Sequence, residues 1–164
     1  MAQKEEDYPP FLFPGDNKLD IEYGYYHGYT LLDKENKKAA YPFGFGLSYT
    51  SFKFSDLTAE KTDNNQISVK VNVKNTGDND GKTVIQIYAG SAENTADNPK
   101  KLLKGFKKVF LKSGEEKSFE VLLENDDLRF YDEKSGSWYL DRSYTIYCGE
   151  DSEKAMGLFA KISF

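Results

Sequence analysis

Paired carboxylates are the residues of this chain with the most obvious chemical potential. Asp126 and Asp127 adjoin in "ENDDLRF", and Glu115 and Glu116 adjoin in "KSGEEKS". Acid–base or nucleophilic work needs such groups held within reach of a reacting atom. These pairs fall at strand ends and in turns, where solvated surface charge is the expectation. His27 is the single histidine. A His-rich metal site is therefore excluded, and a Ser-His-Asp arrangement would have to draw on this one imidazole. Its setting, "YYHGY", suits a packed or surface ring. Asp78, Asp80 and Gly81 in "NTGDNDG" have the spacing of a calcium loop, but the twelfth position is Ile87, where a bidentate glutamate is needed. A plain turn fits better. "GFG" lacks the following helix and lysine of a phosphate loop. The expectation is no catalytic residue, no metal site and no cofactor.

Composition narrows the classes further. The chain has 164 residues, enough for one domain, or one domain with an appended segment. The net charge of −5 argues against nucleic acid as a partner, since no face is basic enough to displace counterions from phosphates. Lys100, Lys101, Lys104, Lys107 and Lys108 cluster, but apolar residues and glycine interrupt them, as on a solvated strand face. The one cysteine, Cys148, lies in the alternating run "SYTIYCGE" and reads as a small core residue. No stretch reaches the ~18 apolar residues of a membrane span, and "MAQKEEDYPP" lacks the apolar core of a signal peptide. The expected location is cytoplasmic, unless the chain is a piece excised from a longer, secreted protein.

The elements that would position any site divide at residues 41–54, "YPFGFGLSYTSFKF", where six of fourteen residues are aromatic. Beyond Thr50 the apolar period is two. "QISVKVNVK" places Ile67, Val69, Val71 and Val73 on one face and Ser68, Lys70, Asn72 and Lys74 on the other, the mark of a half-buried strand. "SFKFSDL", "TVIQIYAG", "KSFEVLLE", "SYTIYCG" and "GLFAKISF" are similar runs, rich in β-branched and aromatic residues. Turn signals such as "NTGDNDG", "LKSGEE" and "GEDSEK" separate them. Short strands at regular spacing without intervening helices predict an all-β fold, an antiparallel immunoglobulin-like sandwich. Trp138 in "SWYL" is expected as a core or inter-sheet anchor, with a surface ring that stacks on sugar as the alternative. Residues 1–40 carry prolines and a Gly–Tyr alternation but no core-closing pattern, so they are expected as an irregular extension packed on the sandwich or on a partner.

The opening knot resembles the segment leading into the fibronectin type III-like domain of family 3 glycoside hydrolases, the β-glucosidase and β-xylosidase group. Pro42, Phe43, Gly44, Gly46, Leu47, Ser48, Tyr49, Thr50 and Phe52 fit its "P-F-G-x-G-L-S-Y-T-x-F". "NTGDNDGKTVIQIY" is similar to the family's next motif at Asn75, Thr76, Gly77, Gly81, Val84, Gln86 and Tyr88. "LKGFKKVFLKSGE" follows, with Ser113 in place of the usual proline. "DLRFYDEKSGSW" then matches at Asp127, Leu128, Phe130, Tyr131, Asp132 and Trp138. Upstream, Gly24, Gly28, Tyr29 and Asp33 resemble the end of the preceding α/β sandwich domain. There Tyr23, Thr30, Leu31 and Leu32 depart from the family pattern, so no sugar contact is assigned to that strip.

The resemblance implies residues 1–40 as the tail of a preceding α/β domain and residues 41–164 as the fibronectin type III-like sandwich. It implies a carboxyl-terminal, non-catalytic accessory module of a family 3 β-glycosidase. The family's nucleophile lies in a (β/α)₈ barrel of ~250 residues that this chain cannot contain, and its acid/base comes from the main part of the α/β domain. The implied partners are the parent's catalytic domains. The candidate interface or sugar-contact residues are Tyr25, Tyr26, Tyr29, Phe43, Phe45 and Tyr49. Two alternatives stay open: a carbohydrate-binding module taking β-linked sugars on the tyrosine-rich segment 22–29, and a protein-interaction sandwich that forms a homo-oligomer.

Overall fold

The computed structural model describes residues 25–93, 98–132 and 135–164. Alternating apolar residues give the strands that the period of two predicts: β1 (Phe52–Lys61), β2 (Gln66–Asn75), β3 (Gly81–Ser91), β4 (Leu102–Leu111), β5 (Glu116–Glu124), β8 (Ser143–Gly149) and β9 (Phe159–Ser163). They form a three-stranded sheet, β1-β2-β5, and a four-stranded sheet, β4-β3-β8-β9. All pairs are antiparallel. Two short strands, β6 (Phe130–Asp132) and β7 (Ser137–Tyr139), make a separate hairpin. Three plus four strands with chain crossings between the sheets is an immunoglobulin-like sandwich.

The inner faces close the core. Ile67, Val69, Val71 and Val73 of β2 and Ile85 and Ile87 of β3 are all 0 % exposed, where β-branched side chains pack well on a pleated surface. Leu128, Phe130, Tyr144 and Ile146 complete it, with the Phe130 and Tyr144 rings stacked at 6.0 Å. The Tyr144 hydroxyl accepts the Asp141 N–H at 2.7 Å, a bond back to the chain just upstream of its strand, like the tyrosine corner of such sandwiches. Cys148 is buried, as its place in an alternating run suggests.

The outer faces differ. The three-stranded sheet shows cross-strand ion pairs, Lys70–Glu120 at 4.0 Å and Lys74–Glu116 at 3.6 Å. The four-stranded sheet shows large apolar groups instead: Phe106 is 70 % exposed, Phe110 48 % and Phe159 58 %.

A polar latch ties the start of β1 to the turn after β2. The Asn75 side chain is buried, and its Oδ1 accepts from Thr50 Oγ1 (2.5 Å) and Gly77 N (3.1 Å). Its Nδ2 donates to Asn79 O (2.8 Å) and Leu111 O (3.2 Å). Thr50 itself wedges between Gly77 and Gly81, where a Cβ on either glycine would overlap it. Asp80 Oδ1 accepts the Ser113 N–H at 2.8 Å, and Ser113 Oγ donates to Gly77 O at 2.8 Å. The "SYT", "NTGDNDG" and "KSGE" motifs thus meet in one loop cluster.

Three expectations need correction. Residues 28–35 of the extension form a helix, α1 (Gly28–Glu35). Trp138 is 64 % exposed and leans on Tyr131 at 5.4 Å, because the β6–β7 hairpin lies outside the two sheets, and Phe130 takes the core position instead. Lys101, expected on a solvated face, is 1 % exposed.

Two predictions follow from this packing. Asn75→Ala removes four hydrogen bonds at a buried site and lowers the unfolding free energy by about 2–4 kcal/mol in urea titrations. Burial pushes the Cys148 thiol from 9.0 up to about 12 and the Tyr144 phenol from 10.0 up to about 12. A raised folded pKa means that the stabilisation is complete below the unfolded value and is lost as pH rises through the folded one. The melting temperature therefore falls progressively above about pH 9, and Cys148 reacts with a thiol reagent only after denaturant is added.

Candidate domain interface

The extension is locally encoded at both ends of α1. Thr30 Oγ1 donates to His27 O at 2.7 Å and accepts the His27 N–H at 3.2 Å, which satisfies part of the helix amino terminus. Asn36, in the left-handed region at φ 55°, closes the helix, and Lys37 N donates to Leu32 O at 2.9 Å. Tyr29, Leu32 and Asp33 share one face by their i, i+3, i+4 spacing. That face meets the sandwich, with Leu32 buried.

The docking contacts are specific. Tyr29 Oη accepts the Leu103 N–H at 3.0 Å, covering a donor on β4, the edge strand of its sheet. The Tyr29 ring meets Tyr88 edge-on at 5.8 Å and Phe43 at 5.7 Å. Burial raises the Tyr29 phenol above its ordinary value, the bond from Leu103 opposes that rise, and the Asp33 charge adds to it. Lys101 Nζ, beside the Tyr29 and Tyr88 rings, pairs with Asp33 Oδ2. Lys100 Nζ donates to Asn36 Oδ1 at 2.5 Å.

From α1 the chain enters the knot, a strap across the outer face of β3. Ser152 N donates to Phe43 O at 2.9 Å, and Ala39 N donates to Glu153 Oε1 at 3.0 Å. Gly44, at φ 91°, lies so close to the Gln86 amide that a Cβ there would collide with it. Gln86 is held in turn: its Nε2 donates to Glu150 O at 2.7 Å, and its Oε1 accepts from Tyr88 Oη at 2.5 Å. Strap and sheet enclose an open groove of about 500 Å³, lined by Gly44, Leu47, Val84, Leu103, Phe106 and Lys108 among others.

The six sequence-derived candidates do not form one site. Tyr29 and Phe43 touch, as do Tyr25 and Tyr26, whose rings are perpendicular at 5.2 Å. Lys34 Nζ sits 3.8 Å over the Tyr26 ring. Phe45 packs on Tyr41 at 5.3 Å. Tyr49 is 96 % exposed near the latch, beside the bond from Asn79 Nδ2 to Tyr49 O. Sequence reasoning missed Asp33, Gln86, Tyr88 and Lys101. The partners of the Asp33–Lys101 pair lie 68 residues apart, and such a pairing leaves no local pattern.

The paired carboxylates are occupied structurally. Asp127 Oδ2 accepts the Glu124 N–H at 2.9 Å, and Asp126 pairs with Arg129 at 2.9 Å. Glu115 pairs with Lys117 at 2.6 Å and accepts the Lys112 N–H, and those two bonds hold its carboxyl below the usual range. Glu116 pairs with Lys74. Among the described residues no group of three or more His, Cys, Asp or Glu is placed to hold a metal ion, and no helix is long and apolar enough to cross a membrane.

Residues 83–152 match the fibronectin type III-like domain family. The chain is 37 % identical over 150 residues to the thermostable β-glucosidase B of Acetivibrio thermocellus, covering 88 % of this chain and 20 % of that protein. Among solved structures, it is similar to a β-glucosidase from Streptomyces venezuelae (38 % identity, TM-score 0.75, 83 % of this chain and 18 % of that one). A β-glucosidase from Chaetomella raphigera matches over 99 % of this chain and 25 % of its own, at 28 % identity and TM-score 0.85. The chain thus spans about a fifth of the length of the curated relatives it matches.

The buried ion pair yields a sharp expectation. Asp33→Ala leaves the Lys101 ammonium buried without its counter-ion and destabilises by about 3–5 kcal/mol, whereas the double change Asp33→Leu with Lys101→Met is near neutral. A double-mutant cycle read by chemical denaturation checks both values.

Proposed function

Since this chain carries the fibronectin type III-like domain of family 3 glycoside hydrolases, we propose that it braces the catalytic domains of a β-glycosidase, docking through the knot and the outer face of the four-stranded sheet. The parent enzyme hydrolyses O-glycosyl bonds, β-glucosides among them. In this reading residues 41–164 are the accessory sandwich and residues 1–40 the tail of a preceding α/β domain.

The observation that carries this reading is the asymmetry of the two outer faces. One is laced with Lys–Glu pairs. The other exposes Phe43, Phe45, Leu47, Phe106 and Phe110 together beside one groove or on one sheet face, and clustered apolar exposure of this kind marks an interaction surface. The aromatic candidates Phe43 and Phe45 are interface residues in this reading, with Tyr29 setting the strap that presents them.

Two measurements test it. The purified chain gives no turnover of aryl β-glucosides or β-xylosides; genuine hydrolysis would end the accessory reading. Phe106→Lys with Phe110→Lys changes unfolding free energy by less than about 0.5 kcal/mol while it lowers fluorescence of a bound apolar dye. A large loss of stability would instead place both rings in the module's own core.

A further inference from the structure

We propose that the groove between the strap and the β3–β4 face seats an apolar protein segment flanked by carboxylates, supplied by the remainder of the parent enzyme. This rests on the accessory-module reading and specifies the chemistry of the docking partner.

The argument begins with register. On the outer face of β3 and β4, Lys82 lies opposite Phe110, Val84 opposite Lys108, and Gln86 opposite Phe106. Lys82 and Lys108 are therefore diagonal neighbours, roughly 7–8 Å apart, a distance at which like charges still repel. Both are exposed, and no ion pair joins either to a carboxylate among the described residues. The other sheet treats its outward lysines differently: Lys70 and Lys74 each face a glutamate on β5.

The two acids that line the groove, Glu150 and Asp151, form no ion pair with either lysine. Glu150 pairs with Lys154. Asp151 is 3 % exposed, and its Oδ1 accepts the N–H groups of Glu153 (3.0 Å) and Lys154 (2.8 Å). The groove rim thus carries two lysines without an ion-pair partner among the described residues, in a chain whose net charge is −5.

The floor asks for an apolar occupant. Val84, Leu103 and Phe106 line it with Ser48, Thr83 and Gln86, and Gln86 spends its amide on Glu150 O and Tyr88 Oη. A volume of about 500 Å³ accommodates several side chains rather than one. In the matched relatives about four fifths of the polypeptide lies outside the aligned region, so a large partner within the same chain is at hand.

The test uses the whole chain and two synthetic peptides with one Leu-Phe-Leu core, flanked by aspartates in one and by lysines in the other. In amide NMR titrations the acidic peptide perturbs Leu47, Lys82, Val84, Phe106 and Lys108 and binds at least tenfold more tightly than the basic peptide. Lys82→Glu with Lys108→Glu inverts that preference, and Lys70→Glu with Lys74→Glu leaves it unchanged. Equal binding of both peptides, no perturbation at those amides, or inversion by the Lys70 and Lys74 changes would overturn the acidic occupant. None of these results bears on the accessory reading, which is tested separately by turnover of aryl glycosides and by the Phe106 and Phe110 changes.

Discussion

A lysine ammonium withdrawn from water needs a counter-ion, and here the carboxylate comes from outside the sandwich. Lys101 is 1 % exposed, and its partner Asp33 sits on α1, in the extension. Isolated charges are not left in low-dielectric surroundings, so this pair fixes where α1 lies. Once α1 is held, Tyr29 reaches Leu103 N and Tyr88, and the following chain crosses β3 at Gly44, against Gln86. The strap, and with it the groove, follows from that anchoring.

The strands were legible because their signal is local. Ile67, Val69, Val71 and Val73 alternate with polar residues, and one sheet face must be dry, so the period of two reports the fold directly. α1 was not legible: eight residues with two leucines and a leading glycine carry too little apolar stripe to stand out. Trp138 misled for a different reason. A large ring argues for burial only where the backbone turns it inward; Trp138 lies opposite Tyr131, and the next pair of the hairpin supplies Phe130 to the core. Lys101 illustrates the limit of charge patterns, since a lysine in a basic run reads as solvated until a distant aspartate is known.

The family motifs also show why a functional-looking pattern can be architectural. Thr50, Asn75, Gly77 and Gly81 meet at one latch. Glycine is required there by the closeness of Thr50, not by any ligand. Asp80, which gave the turn its calcium-like spacing, accepts the Ser113 N–H. Ser113 itself uses its hydroxyl on Gly77 O, so the residue that departs from the family's usual proline adds a bond of its own to the same cluster. Such loops tie the ends of the two sheets together.

The aromatic residues then divide by what their rings face. A platform for sugar rings needs an accessible face held flat by polar groups at its rim. Tyr25 and Tyr26 stand perpendicular, and Lys34 sits over the Tyr26 face. Tyr29 gives its edge to Tyr88 and its hydroxyl to the β4 backbone. Phe43 and Phe45 project from a strap that is bonded down at Ser152 and Glu153, tilted by 39° to Tyr29 and by 50° to Tyr41 respectively. Rings at such mixed angles interdigitate with other side chains better than they stack on a pyranose. A docked protein surface, as proposed above, supplies side chains of many orientations to meet such rings.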